Sequence, residues 1–292
     1  MTRSDLIGPG VSEFAPAKLN LYLHVVGRRA DGYHLLDSLV AFAEIGDSVS
    51  AAQAVNLSLE VGGPFKAQLS PDSEQNLVLR SARWLAERSG IADGAALALE
   101  KHLPVASGIG GGSSDAAATL RALARLWHCD LNRLDPADIA AALGADVPVC
   151  LINRAAWLGG IGEAVAPASP LPDCWVVLAN PGVAVATPAV FKARRGEFSA
   201  PARFGAVADA VALAGALSRR RNDLTDAALS LAPEIGDVLS ALAAEPAALI
   251  ARMSGSGATC FALFAARGEA VAAATHLAAA HPRWWVAEGK LR

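Results

Sequence analysis

Cysteine is scarce in this 292-residue chain, and the four present, Cys129, Cys150, Cys174 and Cys260, lie far apart with no C-x-x-C pair. That spacing supports neither a zinc site nor a disulfide framework, so the four read as small buried hydrophobes. An excess of positive charge is missing too: 25 Lys plus Arg stand against 28 Asp plus Glu, a formal net charge of −3. No global basic field is available to attract nucleic acid or an anionic membrane. The one dense basic run, Arg219-Arg220-Arg221, reads as a solvated helix end. No stretch of 18 uninterrupted apolar residues occurs, and Met1 to Gly10 carries Arg3, Asp5 and Pro9 without an apolar core. Membrane spanning and secretion are therefore unsupported, and a cytoplasmic protein is expected. No internal repeat stands out beyond a bias toward Ala.

What the chain has in quantity is apolar surface to bury. Hydrophobic residues make up 53% and charged residues 18%, and the length suits two packed domains. Strand-like patterns fall near 14–26, 39–51, 55–61, 95–100, 155–158, 175–179, 260–264 and 284–287. Helical periodicity appears near 75–88, 114–127, 135–143, 207–219 and 269–280, with Asp135-Pro136 as an N-cap and first-turn pair. This mixture predicts an α+β protein in two layers. The Pro-rich run at 166–172 marks the expected junction between domains 1–165 and 166–292.

The most informative segment is Pro104-Val105-Ala106-Ser107-Gly108-Ile109-Gly110-Gly111-Gly112-Ser113-Ser114-Asp115, which empties into a helical pattern. Glycine lets backbone amides crowd a phosphate, and the following helix offers unpaired N–H groups and a positive dipole end. A nucleotide triphosphate site is one reading; a flexible turn closed by a Ser N-cap is the other. Two standard motifs fail here. No Lys follows the glycines as a Walker A loop requires, and Ser113 stands where a dinucleotide fingerprint needs its third Gly.

A second segment adds weight. From Lys18 the chain alternates strictly, with Leu19, Leu21, Leu23 and Val25 on one face and Lys18, Asn20, Tyr22 and His24 on the other. That is the period of a half-buried strand with one core face and one polar face. It leads to Arg28-Arg29-Ala30-Asp31-Gly32-Tyr33-His34, a turn with two aromatic rings. Gly144-Ala145-Asp146-Val147-Pro148 follows later, then Pro181-Gly182, Thr187-Pro188 and a second glycine segment, Met253-Ser254-Gly255-Ser256-Gly257-Ala258-Thr259.

Taken in order, these segments resemble the GHMP kinases, a superfamily acting on sugars and small alcohols. The resemblance runs over most of the chain. It implies a two-domain α+β fold, a ribosomal-protein-S5-like N-terminal domain followed by a ferredoxin-like C-terminal domain, with both substrates in the cleft between them. The pairing of P-A-K-L-N-L with D-G-Y-H and G-A-D-V-P points to one branch. Its implied reaction is transfer of the ATP γ-phosphoryl group to the 2-hydroxyl of a methylerythritol unit carrying cytidine diphosphate, a step toward isopentenyl diphosphate.

The same resemblance implies roles. Asp146 matches the family's general base, where a turn Asp beside Pro148 is the plain alternative. Lys18 matches the lysine that holds that base ionised and offsets charge near the phosphoryl group. Pro104, Val105, Ala106, Ser107, Gly108, Ile109, Gly110, Gly111, Gly112, Ser113 and Ser114 are expected to cradle the ATP phosphates, with Ser114 capping the helix. Asn76 and Lys101 match adenosine contacts, though each also reads as a helix-start cap and a surface Lys. Tyr33 and His34 match positions that engage the cytosine ring. Asn20 and Thr187 are expected near the methylerythritol or its diphosphate, and Gly255 and Gly257 near the substrate, closing the phosphate site from the second domain, with a tight turn before the strand at 260–264 as the plain alternative. Magnesium is expected to arrive on ATP, with no dedicated protein metal site. Asp115 is open between holding that ion and complementing the helix dipole. Ser107 and Ile109 depart from the common Ala and Leu without affecting a backbone role. Intact Lys18 and Asp146 argue against a non-catalytic binder, and D-G-Y-H argues against a kinase of another alcohol.

Overall fold

A computed structural model describes residues 10–69 and 76–292. The described residues form two compact units. The first comprises those up to Ala17 together with Gly46–Val105 and Gly111–Asn153; the second comprises Lys18–Ile45, Ala106–Gly110 and Arg154–Arg292. Strands β1 (Val11–Arg28) and β2 (His34–Ala54) are long enough for each to contribute a segment to both units.

In the first unit the end of β2 pairs antiparallel with β4 (Gly94–Glu100), from Ser48 opposite Glu100 to Ala54 opposite Gly94. Strand β3 (Ser58–Gly62) pairs parallel with β4. Parallel neighbours need a crossover, and helix α1 (Leu77–Ser89) lies within it. Asn76 caps α1 by accepting from the Val78 amide at 3.0 Å, and Gly90 ends it at φ +65°. Helix α2 (Gly111–Leu126) buries Ser114–Leu120 without interruption. Three alanines and Thr119 in that run keep it slim enough to be packed on nearly all sides. Helices α3 (Pro136–Leu143) and α4 (Val147–Ile152) complete the unit, α3 capped by Asp135 on the Ala137 amide at 2.8 Å.

In the second unit β7 (Cys174–Asn180) is central. It pairs antiparallel with β10 (Trp285–Leu291) on one side and β9 (Cys260–Phe264) on the other, and β9 pairs with β8 (Ile250–Met253). Helices α5 (Thr187–Ala193), α7 (Thr225–Leu231), α8 (Glu234–Ala244) and α9 (Arg267–Ala280) supply apolar faces to a core containing Val177, Ala179, Val190, Ile235, Val238, Phe264 and Leu277. Helix α6 (Ala210–Ser218) and strands β5 (Ala156–Gly159) and β6 (Ala164–Pro167) lie outside that cluster, β5 pairing with β2 and β6.

The α+β expectation holds, with boundaries shifted by a few residues; the expected helix start at Gln75 lies outside the described residues. Strands β6 and β8 and helices α4, α5, α7 and α8 were not foreseen. Segment Val147–Ile152 shows why, since six nearly continuous apolar residues carry no helical period to read. Three other expectations are corrected. Strand β1 is buried on both faces from Ala15 to Val25, not half-buried. The Arg219–Arg221 run follows the end of α6 with Arg219 and Arg221 exposed as expected, but Arg220 is held: it lies 4.4 Å over the Phe204 ring and donates to the Ala202 and Ala216 carbonyls. Cys129 is only partly buried, unlike the other three cysteines.

Candidate active site

The two glycine segments meet within the second unit, backbone against backbone. Gly108 has φ +76°, and a Cβ there would lie 2.6 Å from the Gly257 carbonyl oxygen and 2.7 Å from that of Ser254. A Cβ on Gly255, at φ +55°, would in turn lie 2.7 Å from the Gly108 carbonyl oxygen. Only residues without side chains permit this approach. Polar contacts fasten it: the Ser254 hydroxyl donates to the Gly108 carbonyl at 3.1 Å, and the Thr259 amide donates to the Ser107 carbonyl at 3.0 Å. Arg252, at the head of the second segment, is buried and donates to the carbonyls of Leu21, Leu217 and Arg220 at 2.7, 2.9 and 2.6 Å. Burial and neighbouring Arg220 lower its pKa to about 10, so it remains a cation at neutral pH.

Strand β1 delivers Lys18 and Asn20 to the same place. The Lys18 amide donates to the Ile109 carbonyl at 2.9 Å, and a Cβ on Gly110 would touch the Lys18 side chain at 3.0 Å. The Asn20 amide donates to the Ser254 hydroxyl at 3.1 Å. Its side chain donates to Ser38 at 2.8 Å, which turns the Asn20 carbonyl toward the Lys18 ammonium at 3.4 Å. The rest of the polar face is held internally. Tyr22 donates to Asp37 at 2.7 Å, and His24 meets the Ala200 carbonyl at 2.9 Å. Burial and Asp37 push the Tyr22 hydroxyl well above the usual phenol range, so it stays protonated.

Helix α5 joins the second glycine segment to the aromatic turn. Thr187 and Ser256 share a hydroxyl hydrogen bond at 2.8 Å. Four residues on, Phe191 stacks on the His34 imidazole, with ring centroids 5.2 Å apart and planes at 23°. Residues i and i+4 share a helix face, so one helix serves both contacts. Sequence reasoning missed Phe191; its signal was an aromatic one turn after Thr187-Pro188. Burial, with help from Arg28 and Arg194, lowers the pKa of His34 and favours the neutral imidazole. Tyr33 is exposed beside it.

Pro104, Val105, Gly111, Gly112, Ser113, Ser114, Asn76, Lys101 and Asp146 belong to the first unit. Helix α2 begins inside the glycine run, at Gly111, so Ser114 is not its cap. The Ser114 hydroxyl donates to the Pro16 carbonyl at 2.6 Å. A Cβ on Gly112 would lie 3.4 Å from Leu77, so the N-termini of α1 and α2 are neighbours, two positive dipole ends together. Asn76 is the expected helix cap. Lys101 is not a surface residue: it is 2% exposed, with its ammonium 2.5 Å from Asp47 and 2.6 Å from Asp115. Burial opposes its charge, but the two carboxylates more than offset that and its pKa is raised. Burial pushes the Asp115 carboxyl up to about 8 despite Lys101, with Asp47 adding to the rise, and its Oδ1 has no partner. Asp146 holds the position before α4 and makes no capping bond to it.

Among the described residues no group of three or more His, Cys, Asp or Glu side chains is arranged to hold a metal ion, and no helix is long and apolar enough to cross a membrane.

Residues 76–154 match the family described as "GHMP kinases N terminal domain", and residues 203–283 match "GHMP kinases C terminal". A protein of Paramagnetospirillum magneticum named "4-diphosphocytidyl-2-C-methyl-D-erythritol kinase" is 55% identical over 95% of this chain and 97% of its own. One of the same name from Cereibacter sphaeroides is 57% identical over 95% of this chain and 98% of its own. A solved structure described as "Crystal structure of 4-(cytidine 5'-diphospho)-2C-methyl-D-erythritol kinase" superposes with a TM-score of 0.77 at 35% identity, covering 96% of this chain and 98% of that one. The chain belongs to the GHMP kinases, and within them to the 4-diphosphocytidyl-2-C-methyl-D-erythritol kinases.

Gly108→Ala is expected to force the two glycine segments apart and lower the unfolding free energy by about 2 kcal/mol or more, read by denaturant titration. Unchanged stability would contradict the close approach.

Proposed function

We propose that this chain transfers the γ-phosphoryl group of ATP to the 2-hydroxyl of 4-diphosphocytidyl-2-C-methyl-D-erythritol, giving the 2-phosphate and ADP on the non-mevalonate route to isopentenyl diphosphate. The observation that carries this is identity above 50%, over nearly the whole chain, to relatives bearing that substrate in their names. ATP arrives as its magnesium complex, and no chelating protein set is assigned to the ion. The chain divides into an N-terminal domain, 1–165, and a C-terminal domain, 166–292. Support for that division comes from the two family matches, which fall on either side of the boundary. The setting is the cytoplasm, and nucleic acid is not a partner.

Phosphoryl transfer passes through a loose transition state with its charge on oxygens, so the protein's work is positioning, neutralisation and proton removal. Asp146 takes the proton from the 2-hydroxyl as the new P–O bond forms, and the bond to the ADP oxygen breaks. Lys18 offsets negative charge on the transferred group. The backbone from Pro104 to Ser114 and the N-terminus of α2 hold the ATP phosphates, with Asn76 and Lys101 toward the adenosine. Tyr33 and His34, with Phe191 behind the imidazole, receive the cytosine. A neutral His34 presents one donor and one acceptor, as a pyrimidine edge requires. Asn20, Thr187, Gly255 and Gly257 face the methylerythritol diphosphate.

An ADP-release assay with MgATP tests this against the cytidyl alcohol, mevalonate and homoserine. Turnover is expected with the first alone, and Asp146→Asn is expected to lower kcat by at least ~10²-fold with little change in substrate binding. Turnover with another alcohol overturns the substrate, and near-normal turnover by the variant overturns the base. His34→Ala is expected to raise KM for the cytidyl alcohol by roughly 10-fold, the scale of a lost buried hydrogen bond, while KM for ATP holds. An effect confined to ATP removes His34 from the cytosine.

A further inference from the structure

Asp47 lies far in sequence from both glycine segments, yet its carboxylate is 1% exposed and fully engaged at the start of the first. Its Oδ1 accepts from the His102 amide at 2.5 Å and the Leu103 amide at 2.8 Å, and its Oδ2 accepts from the Lys101 ammonium at 2.5 Å. These donors are three consecutive residues, at the point where β4 ends and Pro104 follows. The Lys101 ammonium continues to Asp115 Oδ2 at 2.6 Å, inside the second turn of α2. A single carboxylate thus ties the chain entering the glycine segment to the helix leaving it.

The ammonium also lies directly under the helix start. A Cβ on Gly111 would lie 3.1 Å from Lys101 Nζ, and the first four amides of α2 have no acceptors within the helix. Main-chain bonds brace the lysine: its amide donates to the Gly62 carbonyl at 3.0 Å, and its carbonyl accepts from the Phe65 amide at 3.1 Å. Removing the Asp47 charge would leave the ammonium paired to Asp115 alone and free it to shift toward α2.

We infer that Asp47 is a positioning residue for nucleotide binding, holding Lys101 and the His102–Leu103 corner so that the first turn of α2 keeps the geometry that receives phosphate. This rests on the proposed use of ATP but not on the identity of the alcohol. It requires Asp47 to act through Lys101 and never to touch the nucleotide. The raised carboxyl of Asp115 agrees with so tightly packed a cluster, in which two carboxylates share one ammonium.

The test is calorimetric titration of the full chain with MgATP in the absence of any alcohol, for wild type, Asp47→Asn, Lys101→Met and the double variant. Asp47→Asn retains an acceptor for the two amides while losing the charge. It is expected to raise the ATP Kd by about 10-fold or more, to leave KM for the alcohol within about twofold, and to add little on top of Lys101→Met, because coupled residues are not additive. A lower melting temperature with an unchanged Kd, or full additivity in the double variant, would reduce Asp47 to a folding role and overturn the inference. If Asp47→Asn does not fold, Asp47→Glu keeps the charge and changes its reach. An unchanged Kd in that variant overturns the inference, and a Kd raised while KM for the alcohol holds supports it. A wild-type chain that binds ATP but rejects the cytidyl alcohol overturns only the substrate, while one that binds no ATP overturns both readings.

Discussion

The close approach of Gly108 to Gly255 and Gly257 is the constraint around which the polar residues of the second unit are arranged. Backbone atoms at 2.6–2.7 Å from where a Cβ would stand leave no room for any side chain. With side chains excluded, the local chemistry falls to main-chain groups and to the residues that hold them. Ser254 does so from one side and Asn20 from behind. Arg252 ties the start of the second segment to β1 and to the end of α6 through three carbonyls. The same strand that supplies Asn20 also lays Lys18 beside Gly110, so a cation and a glycine-lined backbone come together through strand geometry alone.

The first unit solves a different problem. Helix α2 must present free amides at its start while being buried along most of its length. The alanine-rich face answers the second demand, and the Asp47–Lys101–Asp115 cluster under the first turns answers the first. Buried ionic clusters contribute little to stability compared with well-packed apolar groups, yet breaking one is costly. Their value here lies in fixing where the helix begins. The neighbouring N-terminus of α1, capped by Asn76, adds a second dipole end of the same sign.

Much of this was legible in the sequence because it depends on local chemistry. The Gly108–Gly112 run announces a backbone that must come close to something. Asp135-Pro136 announces a helix start, and the alternation from Lys18 to Val25 announces a strand. What stayed hidden depends on distant partners. Lys101 reads as a surface residue because Asp47 lies 54 positions away, and nothing in the local pattern brings them together. Tyr22 and His24 read only as part of a polar face because their partners, Asp37 and the Ala200 carbonyl, come from other segments. Phe191 was missed because helix α5 is only seven residues long and its stacking partner, His34, lies far earlier in the chain, at the start of β2. The expectation that Ser114 caps α2 failed because the glycines themselves are helical from Gly111 onward, although glycine is a poor helix former.

The most direct test of the central claim is phosphorus NMR of the product made from MgATP and 4-diphosphocytidyl-2-C-methyl-D-erythritol. The expected result is one new phosphomonoester resonance without vicinal proton coupling, because carbon 2 carries the methyl group and no hydrogen, appearing in step with ADP while both resonances of the cytidyl diphosphate persist. A lengthened phosphate chain, loss of the diphosphate, or ATP consumption without a monoester would contradict it.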